Sequence, residues 1–387
     1  MEAETTPQQR RFDFAEVLTR MAQERASDVH LSPGFPPAIR SRGSIVPLEE
    51  YGRLLPQDTR DTVYSLLNDD QRKRFESAKQ LDLAYAVPGV GRFRVNCFFQ
   101  RGSISAAFRR IPHQIPSLGE LNLPPILGEF TKKPRGFVLV TGPTGSGKST
   151  SLAAMLDVIN AGRSEHILTI EDPIEFLHSH KRCIVNQREI GADADNFADA
   201  LKAALREDPD VILVGEMRDL ETMSTALTAA ETGHLVFATL HTQSTSQTVD
   251  RIIDVFPPEQ QKQVRMQLSI ALQGIVTQQL LPTADGAGRV VACEILAPTP
   301  AVRNLIREGK THQIYSAIQT SGSTGMQTMD AHLAQLVRMG RITRGLAEQR
   351  ATVPEELSRL LGGAPPGART APQQGNGTPA ATSAYRG

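Results

Sequence analysis

The sequence predicts an α/β protein in two parts, a smaller N-terminal α+β domain followed by a parallel α/β core. Three observations carry this reading. In FVLVTGPTGSGKST, residues 137–150, an apolar β-prone run passes through a glycine-rich turn into residues that can begin a helix. The strand candidates VLV, ILTI, VILV and LVFA are apolar almost throughout, as in strands covered by helices on both faces. Ahead of them, short strand-like runs separated by Gly and Pro turns mark a second, smaller sheet.

In chain order, Phe14, Val17, Leu18 and Met21 form one stripe at helical spacing within residues 12–26. VHL at 29–31, AIR at 38–40 and IVPL at 46–49 are short strands, and residues 57–80 are polar helical material. Sheet character returns at Leu81–Val87, Phe93–Phe99 and Ile104–Phe108, with PGVG at 88–91 and RG at 101–102 as turns. These elements make up an N-terminal domain, residues 1–110. Arg92, Arg94, Arg101, Arg109 and Arg110 gather around its last two strands, and alternation puts Arg92 and Arg94 on one face. A solvated basic face and a surface that contacts phosphate or carboxylate both remain open readings. From 111 to 125, four prolines mark an interdomain linker.

The core, residues 126–361, opens with a short helix at 126–132. It then alternates strand 137–140, helix 148–160, strand 166–170, helix 196–205, strand 211–214, helix 219–230 and strand 235–239. Residues 247–280 continue as helix, broken at FPP (256–258), with Met266, Ile270 and Leu272 facing the core. A strand at 290–296 and helix-rich sequence at 300–346 complete it. Residues 362–387 hold no Leu, Ile, Val, Phe, Met or Trp and are expected to be a disordered tail.

Gly142 to Ser149 spell G-x-x-x-x-G-K-S, a phosphate-binding loop. Gly142, Pro143, Thr144, Gly145, Ser146 and Gly147 form a turn whose backbone N–H groups can converge on phosphate oxygens, and Thr150 continues into the helix. Lys148 supplies a mobile positive charge for the phosphates, and Ser149 a hydroxyl for magnesium. Ligands of open parallel sheets bind at the carboxyl ends of the strands, where this chain sets Glu171 and Asp172, then Glu216, then His241. Glu216 in ILVGEMRD is the candidate for handling the attacking water. Glu171 and Asp172 in TIEDP suit magnesium-bound water and the orientation of polar neighbours. For His241, at a strand end, a contact to the terminal phosphate and a satisfied histidine beside Thr239 and Thr242 both remain open readings, whereas His234, seven residues earlier at the strand start, reads as structural.

With 42 basic and 42 acidic residues, the 387-residue chain has no average field to hold nucleic acid or lipid. Cys97, Cys183 and Cys293 are too far apart for a disulfide framework or a zinc site and read as thiols of a reducing compartment. The polar N-terminus and the lack of a long apolar run point to a cytoplasmic location.

ASDVHL at 26–31, GRFRVNCFFQRG at 91–102, GPTGSGKST at 142–150, TIEDPIEF at 169–176, LREDPDVILVGEMRD at 205–219 and TGHLVFATLHT at 232–242 together resemble the secretion/pilus ATPase superfamily. The segment AVRNLIREGKTHQIYSAIQTSGSTGMQTMDAHL at 301–333 resembles its PilT-like branch, the ATPases that retract type IV pili in twitching motility. The resemblance spans roughly residues 10–345. It implies a PAS-like N-terminal domain and a RecA-like P-loop ATPase domain with a helical C-terminal region, assembled as a homo-hexamer. It also implies ATP and Mg2+ as ligands, Lys148 and Ser149 as Walker A residues, and Glu216 as the Walker B acid and catalytic base. Glu171 falls in the aspartate box, with a part in metal binding, and His241 in the histidine box. Arg94, Arg109 and Arg110 are the candidates to complete the site from the N-terminal domain.

The implied partners are an inner-membrane platform protein and a second retraction ATPase, with no nucleic acid, at the cytoplasmic side of the inner membrane. Three alternatives stand beside retraction: a pilus-assembly or type II secretion ATPase, a nucleic-acid translocase built on a similar core, and a non-catalytic nucleotide-sensing scaffold. The tetracysteine zinc insertion usual in the assembly and secretion relatives is missing from this sequence, which favours retraction, and the tail looks additional to the family core.

Overall fold

The computed structural model describes residues 12–362, apart from positions 25, 42, 88 and 113. Residues 1–11, Pro88 of the PGVG turn and the expected tail from 363 onward lie outside the described residues.

The first sheet has six antiparallel strands: β1 (Asp28–Leu31), β2 (Ala38–Ser41), β3 (Ser44–Pro47), β4 (Gln80–Val87), β5 (Gly91–Gln100) and β6 (Ser103–Ile111). Their spatial order is β3-β2-β1-β6-β5-β4. Alternation along β5 sends Phe93, Val95 and Cys97 inward, each fully buried, and leaves Arg92 and Arg94 on the other face. The helix Phe14–Gln23 begins at Asp13, whose carboxylate accepts the N–H groups of Ala15 and Glu16, and it buries the stripe Val17, Leu18 and Met21. The single helical stretch expected at 57–80 is two helices, Pro56–Leu66 and Asp69–Ala78. Asn68 splits them, because its side chain exchanges hydrogen bonds with Gln71 in a capping box that starts a new helix.

Residues 112–125 carry no helix or strand among those described. The second sheet follows: β7 (Gly136–Thr141), β8 (His166–Glu171), β9 (Ile184–Glu189), β10 (Val211–Val214), β11 (Leu235–Leu240), β12 (Leu272–Pro282) and β13 (Arg289–Leu296). Its order is β13-β12-β7-β11-β10-β8-β9, parallel except for the β12–β13 hairpin. Both faces of β7 are covered, with Phe137 and Leu139 in one apolar cluster and Val138 and Val140 in the other. Each such fully buried side chain contributes about 1.5–3 kcal/mol, which is why these strands read as unbroken apolar runs. Helices Pro300–Glu308, Ile314–Thr320, Met329–Arg338, Arg344–Arg350 and Pro354–Leu360 close the chain.

Three expectations are corrected. Residues 247–280 are not helical throughout: helices Thr245–Asp254 and Pro258–Ala271 give way to β12 with no intervening loop. Met266 and Ile270 are 49% and 57% exposed, because the core stripe of their helix is Val264, Leu268 and Ala271; only Leu272 is buried. β9 was not anticipated, since IVNQRE is an edge strand with a polar composition and Ile184 facing out. No helix among the described residues is long and apolar enough to cross a membrane. The three cysteines are free and buried.

Candidate active site

A cleft of about 680 Å3 opens at the carboxyl ends of β7, β8, β10 and β11. The loop after β7 forms one wall. Gly142 has φ +137°, and a Cβ there would stand 2.2 Å from the Gln278 carbonyl oxygen, so only glycine lets the loop leave the strand this close to β12. Gln278, fully buried on β12, donates from Nε2 to the Ser146 carbonyl at 2.7 Å and straps the loop from below. Helix Lys148–Gly162 starts at the end of the loop and has no acidic residue in its first turn, leaving the positive end of its dipole to the cleft. Lys148 Nζ donates to the carbonyls of Gly142 at 2.8 Å and Pro143 at 3.2 Å.

The facing wall is acidic, and its two principal carboxylates are held differently. Glu171 ends β8 and accepts hydrogen bonds from Thr169 Oγ1 at 2.6 Å and Gln187 Nε2 at 3.1 Å. Burial outweighs those bonds and pushes its carboxyl up to about 7. Glu216 follows β10, with Arg218 Nη2 on one oxygen at 2.7 Å and His241 Nε2 3.3 Å from the other. The Arg218 hydrogen bond, aided by the Arg218 and His241 charges, holds the Glu216 carboxyl below its usual range against partial burial. The surroundings thus drive the two carboxylates of one wall in opposite directions, Glu171 by burial and Glu216 by its paired arginine. Thr239 fixes the strand ends beneath them, donating from Oγ1 to the Gly215 carbonyl at 2.5 Å.

The residues expected from sequence are distributed unequally. Thr144, Gly145, Gly147, Lys148, Ser149 and Thr150 line the cleft with Glu171, Asp172, Glu216 and His241. Arg109 reaches it from the first sheet while its Nε donates to Asp28 Oδ1 at 2.8 Å. Arg94 lies opposite Arg109 in the β5–β6 register but sits beside Asp82 and does not line the cleft. Arg110 turns to the opposite face of β6 and donates to the Ala22 carbonyl, away from the cleft. His234 is at the other end of β11, its Nδ1 3.0 Å from the Ala229 carbonyl oxygen. Sequence reasoning missed Arg218, Gln187 and Gln278. Arg218, two residues beyond Glu216, was within reach of inspection, whereas Gln278 lay in a stretch taken for helix.

The donor set suits a nucleoside phosphate with a hard divalent cation. Loop amides, a helix N-terminus and an ammonium face oxygen donors suited to such a cation, the Ser149 hydroxyl and the Glu171 and Asp172 carboxylates.

Comparison with known proteins agrees with this geometry. Residues 121–344 match the model of the family described as Type II/IV secretion system protein. Over 350 residues the chain is 53% identical to the type IV pilus retraction ATPase PilT of Pseudomonas aeruginosa, covering 89% of this chain and 100% of that protein. It is 54% identical over 302 residues to a twitching motility protein of Neisseria gonorrhoeae, covering 78% and 81% of the two chains. The crystal structure of the pilus retraction motor PilT with bound ADP superposes with a TM-score of 0.85 at 52% identity, over 90% of this chain and 99% of that one. With loop, acidic wall and family match in agreement, the chain belongs to the Type II/IV secretion system protein family and is a PilT-like ATPase.

Proposed function

We propose that this chain hydrolyses ATP with magnesium as one subunit of a hexameric motor that retracts type IV pili and so drives twitching motility. The observation that carries the site assignment is the Glu216 carboxylate, fixed between Arg218 and His241 across the cleft from Lys148. Loop residues Gly142 to Gly147 with Lys148 and Thr150 bind the phosphates. Ser149 and Glu171 would hold magnesium, which when bound neutralises phosphate charge. Glu216, kept ionised, orients and deprotonates the attacking water, and His241 steadies its carboxylate on the phosphate side. Arg109 brings positive charge from the first sheet, and Arg94 and Arg110 stay outside the cleft of their own chain.

The motor works on the cytoplasmic face of the inner membrane against a platform protein of the pilus machine, alongside a second retraction ATPase. The similarity to PilT over nearly the whole chain supports this output. The test is made in cells carrying Glu216→Gln or a deletion of residues 301–308. Abundant pili that no longer retract are expected. Cells without pili would assign the chain to assembly instead, and unchanged retraction would remove the reading.

A further inference from the structure

Arg92 and Glu189 join the two sheets at the edge of the acidic wall. Arg92 lies on β5 and Glu189 is the last residue of β9. Arg92 Nη2 donates to Glu189 Oε2 at 3.1 Å, with the side chains 24% and 7% exposed. The same oxygen accepts the backbone N–H of Ile174 at 3.2 Å. Ile174 is buried and directly follows Asp172 and Pro173. The β8–β9 register sets Glu189 opposite Glu171, and the Ile190 N–H donates to the Glu171 carbonyl at 2.9 Å. One carboxylate oxygen therefore grips the first sheet and the acidic loop together.

The chemistry makes the two grips interdependent. A carboxylate this deeply buried is stable only while its charge is paired, and Arg92 supplies the cation. Arg92 Nε is buried without a protein partner, so the bond to Glu189 is what fixes the guanidinium at the sheet boundary. If the first sheet moves away, Glu189 keeps a single neutral donor and is drawn toward water, releasing the Ile174 N–H and with it the loop behind Glu171.

We propose that Arg92 and Glu189 form an interdomain latch that positions the acidic loop at 172–176, so that displacement of the N-terminal sheet is transmitted to Glu171 as a change in ATP turnover. The latch rests on the nucleotide site proposed above. Both are positioning residues, since neither touches the reacting atoms.

Steady-state ATPase kinetics of the full chain test it, together with hydrogen exchange at the Ile174 amide and thermal melting. Arg92→Ala should lower kcat about tenfold and leave KM for ATP within about threefold, as expected for misplacement of a catalytic group. The Ile174 amide should exchange faster in that variant, and Arg92→Lys should recover most of kcat by restoring a cation. Arg92→Ala combined with Glu189→Gln should be no slower than the slower single variant, because both remove one interaction. An unchanged kcat in Arg92→Ala, additive losses in the double variant, or a lowered melting temperature with Ile174 exchange unaltered would each overturn the latch. Lys148→Ala separates the two levels. Persisting turnover there overturns the site itself, and lost turnover there with normal kcat in Arg92→Ala overturns the latch alone.

Discussion

His241 Nε2 stands 3.3 Å from Glu216 Oε1, while Arg218 occupies the other oxygen of the same carboxylate at 2.7 Å. Glu216 is thus fixed from both sides and kept charged, which a group that polarises water requires. Glu216→Gln preserves shape and removes the base proposed above, so on that proposal ATP should bind with near-normal affinity while kcat falls by about 10^2 to 10^4, the usual contribution of a positioned base. Nucleotide-binding titration beside single-turnover hydrolysis checks this, and near-normal turnover would remove Glu216 from its role.

Away from the cleft, Glu294 on β13 is 2% exposed and caps the helix after His241, accepting the Thr245 N–H at 2.7 Å and the Thr245 hydroxyl at 2.8 Å. Burial raises its carboxyl above the ordinary range in spite of those bonds. The folded chain therefore holds this proton at pH values where the unfolded chain has lost it, so stability falls as pH rises above the ordinary carboxylate range and through the raised value. Glu294→Gln keeps the acceptor and abolishes the titration, and its melting temperature should decline less than the parent's as pH is raised above the ordinary carboxylate range. Equal slopes would show that Glu294 does not titrate there. His178, pushed down to about 4 by burial, acts in the opposite sense: its contribution is lost as pH falls from 6.5 toward 4.

What the sequence made legible follows from how local each signal is. The phosphate loop and the strands of the parallel core are readable because turn chemistry and two-faced burial leave their marks within a few residues, as Phe137–Val140 shows. β12 was hidden because Ala271 ends a helix and Leu272 begins a strand with no turn residue between them. That error concealed Gln278 as well. The Arg92–Glu189 pair is 97 positions apart in the chain, and no periodicity reports a contact of that kind. The basic cluster was visible as composition, yet its division between Arg109 at the cleft and Arg110 behind the sheet depends on strand register.

Loop geometry yields a graded prediction. At Gly142 an added Cβ meets the Gln278 carbonyl oxygen at 2.2 Å, and that backbone atom belongs to a strand hydrogen-bonded to neighbours on both sides. At Gly145, with φ +78°, nothing lies within 4 Å. Gly145→Ala carries only left-handed strain, about 1–2 kcal/mol, whereas Gly142→Ala adds overpacking of about 1–3 kcal/mol and must displace the loop. Nucleotide binding should be lost in Gly142→Ala and only weakened in Gly145→Ala. Binding titrations on both, with circular dichroism to confirm the fold, decide it, and equal binding would show that the approach to β12 is unimportant.

Gln278 allows the strap to be tested without touching the loop. Its Nε2 holds the Ser146 carbonyl, while its Oε1 is buried with no protein partner. Gln278→Leu removes an unsatisfied buried acceptor but also leaves the buried Ser146 carbonyl without its donor, so the two effects offset only in part and the melting temperature should fall modestly. The loop, however, loses a bond worth about 0.5–1.5 kcal/mol, which corresponds to roughly two- to twelvefold weaker nucleotide binding if the bond serves to preorganise it. Gln278→Glu replaces the donor with a carboxylate facing the Ser146 carbonyl in a dry site, and should be worse in both stability and binding. Binding isotherms and melts on the two variants separate the cases. Wild-type affinity in Gln278→Leu would mean that the loop holds its shape without help from β12.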